Sequence, residues 1–80
     1  MKAFSDLSEQ EILALAISLE EEHGRIFADY ADGLKADFPS SAKIFNEMAE
    51  EEHVHRRQLI DAYTEKFGSH IPLIRRQDVK

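Results

Sequence analysis

Lys35 to Ser41 reads KADFPSS, and this short stretch decides the fold. The ring of Pro39 crowds the backbone of Phe38 and disfavours helical geometry there, so a helix arriving from upstream has to stop. On both sides, apolar residues recur at helical spacing. Upstream these are Leu13, Ile17, Gly24, Phe27, Ala31 and Leu34; downstream they are Ile44, Phe45, Met48, Leu59, Ile60, Tyr63 and Phe67. The pattern predicts an all-α chain with helices at about 9–36 and 40–67, folded back as an antiparallel hairpin. At 1.5 Å per residue, each helix is roughly 40 Å long.

The ends of the helices carry their own signals. Ser8 and Glu11 are spaced as a capping box, with Leu7 and Ile12 placed as the hydrophobic staple around it. Gly68 is suited to ending the second helix. Residues 1–68 thus form one helical unit. The tail 69–80, SHIPLIRRQDVK, lacks periodicity and is expected to lie along another surface or to be partly disordered.

Composition narrows the function. Hydrophobic residues make up 42% of the chain and charged residues 32%, a globular rather than a disordered balance. The absence of cysteine excludes disulfides, zinc ribbons and iron–sulfur centres and fits a cytoplasmic location. A net charge of −6 argues against nucleic acid and anionic membrane surfaces, leaving cations as the better partners. No apolar run approaches the roughly 20 residues needed to span a bilayer, so no direct membrane insertion is expected.

Two acidic runs, LEEEHGR at 19–25 and AEEEHVHRR at 49–57, look alike as text. Wound at about 100° per residue they divide differently. Glu20 falls within the apolar stripe of the first helix, while Glu21 and Glu22 point away. On the second helix Glu52 and His55 share the face of Phe45, Met48, Leu59 and Tyr63. Glu50-x-x-His53 has the same ligand spacing, but Glu50 faces outward and His53 lies at the flank nearer Ile60, so Glu52 and His55 are favoured. Glu20 precedes the bend by about eighteen residues, and Glu52 and His55 follow it by about fourteen and seventeen. Equal rise per residue sets all three at one height.

Buried carboxylates are rare unless paired or bound to metal. Arg56 could neutralise one of them, which leaves a metal-free ion-pair cluster as the rival account. His23, in Glu20-x-x-His23, fits a packed, hydrogen-bonded histidine better than a ligand. Gly24, on the inward face, leaves room for a metal or a close helix. Tyr30 and Tyr63 read as amphipathic core residues.

Carboxylate oxygens with one imidazole suit iron or manganese, with zinc as a competitor. Di-iron carboxylate bundles take a Glu from each of two helices and Glu-x-x-His from two others, and this chain supplies half of that set. On the first helix Leu15, Leu19 and Ile26 form a second apolar flank, wider than one partner helix covers. Both observations predict a homodimer, or a higher homo-oligomer, that closes a four-helix bundle.

These residues resemble the ferritin-like superfamily, specifically its rubrerythrin or erythrin type. AISLEEEHGRIF is similar to that family's first-helix pattern and maps the ligand onto Glu20, with Phe27 where a tyrosine is usual. MAEEEHVHRRQL is similar to Ala-x-x-Glu-x-x-His-x-x-x-Leu, mapping onto Ala49, Glu52, His55 and Leu59. The likeness covers roughly residues 7–68. It is greatest to the N-terminal domain of bacterial membrane-bound ferritins, which precedes a transporter-like membrane domain. The resemblance implies a cytoplasmic di-iron site at Glu20, Glu52 and His55 that binds or oxidises ferrous iron, with a membrane iron-transporter domain as partner. Family members usually carry four helices in one chain, whereas two are present here. Without cysteine there is no rubredoxin-type domain to support full rubrerythrin peroxidase chemistry.

Overall fold

The computed structural model describes residues 2–80; Met1, the first residue of the 1–68 unit, lies outside them. Two long helices, α1 (Glu9–Leu34) and α2 (Pro39–Phe67), are flanked by single 3-10 turns at Phe4–Asp6 and Arg76–Asp78. Among the described residues there is no strand, only one isolated bridge between Lys2 and Val79.

The capping box is present in full. Ser8 Oγ accepts the Glu11 N–H at 3.1 Å, and the Glu11 carboxylate accepts the Ser8 N–H at 3.0 Å. That backbone N–H, followed by Lys2 Nζ 3.1 Å away, holds the Glu11 carboxyl below the usual glutamate range. Ser8→Ala should therefore cost about 1 kcal/mol, read as a lower urea midpoint. Because the folded-state pKa of Glu11 is depressed, its contribution is complete above the ordinary glutamate value. It is lost as pH falls through the lowered one. Glu11→Gln should remove that part of the acid sensitivity.

α1 ends two residues before its expected limit, and the physical cause lies in the turn. Phe38 is non-helical (φ −135°, ψ 63°), the helical region being disfavoured for a residue before proline, and its N–H reaches back to Leu34 O at 2.8 Å. Pro39 then opens α2 at the first helical position, where its missing N–H has no partner to lose. At the other end Gly68 takes φ +91°, a conformation that side chains disfavour, and its N–H closes onto Thr64 O at 3.1 Å.

The molecule measures 45 × 27 × 16 Å. Ala14, Ile17 and Tyr63 form the centre of the core, packed on by Leu13, Leu59, Ile60, Phe67, Ile71 and Ile74. The last two belong to the aperiodic tail, which is thus an ordered strap. Tyr63 is fully buried; its hydroxyl accepts from Gln10 Nε2 at 2.8 Å and donates to His70 O at 2.9 Å. Ser18 Oγ donates to Ile74 O at 2.6 Å. Beyond it, Lys80 N–H bonds Lys2 O at 2.9 Å, setting the last described residue beside the first.

Toward the turn the helices meet through small residues. Gly24, Ala31, Ala42 and Ala49 are all buried. A Cβ at Gly24 would sit 3.6 Å from Glu52 Cβ and 3.9 Å from Ala49 O, so the glycine accompanies close helix contact rather than an open space. Three expectations change here: Tyr30, read as a core residue, is exposed, its ring meeting that of Phe45 edge-on. Ile44, assigned to the α2 stripe, is exposed, because it projects about 100° away from Phe45. The second flank of α1 is divided: Leu15 is buried within the chain, Leu19 half-buried and Ile26 exposed. Among the described residues no helix is long and apolar enough to cross a membrane.

Candidate metal centre

Glu20 descends from α1, and Glu52 and His55 come from successive turns of α2. Their potential ligand atoms all lie within 4.8 Å of one another, the only such group of three or more among the described residues. The carboxylates are half-buried and the imidazole is exposed. His55 Nδ1 is 3.7 Å from Glu20 Oε2. That is too long for a hydrogen bond but compatible with two neighbouring ligands of one ion, each about 2.0–2.2 Å from it.

The electrostatics are unusual for a metal-free cluster. Glu20 Oε2 and Glu52 Oε2 are both buried with no hydrogen-bond partner. Such atoms are expensive to bury, and two carboxylates at one level repel each other. No lysine or arginine stands within 4 Å of either among the described residues. Arg56, the candidate for neutralising one of them, turns to Glu21 instead, with Nε 3.6 Å from Glu21 Oε2. The ion-pair account thus loses Arg56 as its cation. Hard oxygen donors with one imidazole fit iron or manganese.

The other sequence candidates stand apart. His23 and Glu50 are exposed and join no group of three ligands. His53 lies against α1, with Cε1 3.9 Å from where a Gly24 Cβ would be. It lines a cleft with Arg56, Arg57, Ile60 and Asp61, away from the three ligands. Glu21, pointing away from the stripe, is exposed as expected, and it is also the hub of an ion-pair cluster, bridging Arg25 at 3.5 Å and Arg56 at 3.6 Å. The i to i+4 spacing of Glu21 and Arg25 was the available signal for half of it.

Compared with known families, residues 11–80 match the family model described as Rubrerythrin. No curated protein and no solved structure matches the chain.

Proposed function

Because the chain belongs to the rubrerythrin family, we propose that Glu20, Glu52 and His55 hold iron in a di-iron carboxylate centre that oxidises ferrous iron or passes it on. The observation that carries this reading is the pair of buried carboxylate oxygens, Glu20 Oε2 and Glu52 Oε2, left without partners beside an imidazole. Iron bound there supplies the redox-active centre at which Fe(II) loses an electron to O₂ or peroxide. The chain's own contribution is to gather two carboxylates and an imidazole nitrogen on rigid helices. It also keeps arginine away from them.

Three ligands are half of a four-helix inventory, and the second half comes from another copy. The exposure of Ile26, Tyr30 and Ile44 supports this. A homodimer would close the bundle and enclose both metals. The likeness to membrane-bound ferritins supports a cytoplasmic position next to a membrane iron-transporter domain that receives the iron.

Anaerobic Fe(II) titration, metal analysis and sedimentation test this together. About one iron per chain, carried by a dimer, is the expected result. Admission of O₂ should then produce the near-ultraviolet absorbance of Fe(III). Failure to retain iron would leave a metal-free helical interaction module, and preference for zinc or manganese would leave a redox-inert site. A stable monomer with iron bound would contradict the shared centre. Bound iron that stays ferrous in air would favour handling over oxidation.

A further inference from the structure

Glu52 and Arg56 are four residues apart on α2, with the acid on the N-terminal side, the order that helices favour for an ion pair. The pair is not made. Glu52 Oε2 and Arg56 Nε are both buried and without hydrogen-bond partners, and the guanidinium has Glu21 of α1 as its sole carboxylate within 4 Å among the described residues. Glu21 is itself anchored from behind by Arg25 at 3.5 Å. Two opposite charges one turn apart are thus unpaired, and the carboxylate beside the arginine lies on the neighbouring helix.

We propose that Glu21 is a positioning residue that draws Arg56 away from Glu52 and keeps the carboxylate pair free for a cation. Arg56 is a long, partly exposed side chain, so released from Glu21 it can swing one turn back along α2. There it would neutralise a ligand and place a positive charge where the metal sits. The inference rests on the metal reading above, and it assigns a task to a residue one position beyond the ligand Glu20.

The test uses the full chain and Mn(II) as probe, with affinities from calorimetry. Glu21→Gln should weaken Mn(II) binding about tenfold, Glu21→Asp should keep most of it, and Glu21→Gln with Arg56→Gln should restore it. Wild-type affinity in Glu21→Gln would overturn the proposal. So would a double variant as weak as the single, since Glu21 would then act by its own charge. A metal-free readout separates this from the metal reading. A double-mutant cycle of Glu52→Gln and Arg56→Gln, followed by urea unfolding, should show no coupling when Glu21 is present. With Glu21→Gln the same cycle should show a severalfold coupling in the folding equilibrium. If wild type binds no Mn(II), the metal reading fails while this cycle still decides the position of Arg56; equal coupling in both backgrounds would refute it.

Discussion

Glu52→Ala should weaken metal binding by more than about a hundredfold while leaving the metal-free chain at least as stable as wild type. The two effects come from the same atom. Glu52 Oε2 is buried and unpartnered, so in the absence of a cation it opposes folding, and removing it relieves a desolvation cost. With a cation present the same oxygen is a direct ligand. Losing a group that merely orients a ligand already costs about 10–100-fold in affinity, and losing the ligand costs more. Glu20→Ala should behave alike, because its Oε2 is in the same condition. Thermal unfolding provides the check. A ligand at a hundred times its dissociation constant stabilises the wild type by about 2.7 kcal/mol, and neither variant should gain that shift. A metal-induced shift that survives in both would remove these carboxylates from the site. A destabilised metal-free protein would show that they are held by partners the structure does not contain.

The second large effect is structural. Tyr63→Ala should cost about 3–5 kcal/mol, the range for emptying a buried aromatic site. A chain of 80 residues has roughly 4–12 kcal/mol of stability in total, so this variant should be largely unfolded at modest urea. Tyr63→Phe isolates the hydroxyl. It leaves the Gln10 amide and the His70 carbonyl without their shared partner, at about 1–3 kcal/mol. It should also speed amide exchange across Ile71 to Ile74, because the strap is held by that bond and the one from Ser18. A phenylalanine variant with wild-type stability and exchange would show that the strap is kept by apolar contact alone.

What could be read from the sequence had a local or periodic origin. The start of α1 was visible in Ser8 and Glu11, because a capping box is written in residues three apart. The turn was visible in Pro39. The grouping of Glu20, Glu52 and His55 followed from two regular quantities, rotation and rise per residue. The order of the strap could not be read that way. Its hydrogen bonds end on the backbone carbonyls of His70 and Ile74, and every residue has a carbonyl. The partner of Arg56 was missed because the choice between Glu20, Glu52 and Glu21 depends on side-chain torsions across two helices. Ile44 was misplaced because an apolar residue next to a stripe looks, in sequence, like part of it.

The contact between Lys2 and Val79, with Lys80 N–H on Lys2 O, sets the first and last described residues side by side. A linker of very few residues would join Lys80 to Lys2, and the chain could be reopened between Lys35 and Phe38 without breaking a helix. The permuted protein would run α2, strap, then α1, with every ligand on the same element as before. A hairpin of this kind is specified by which surfaces meet. The order in which they are synthesised is secondary.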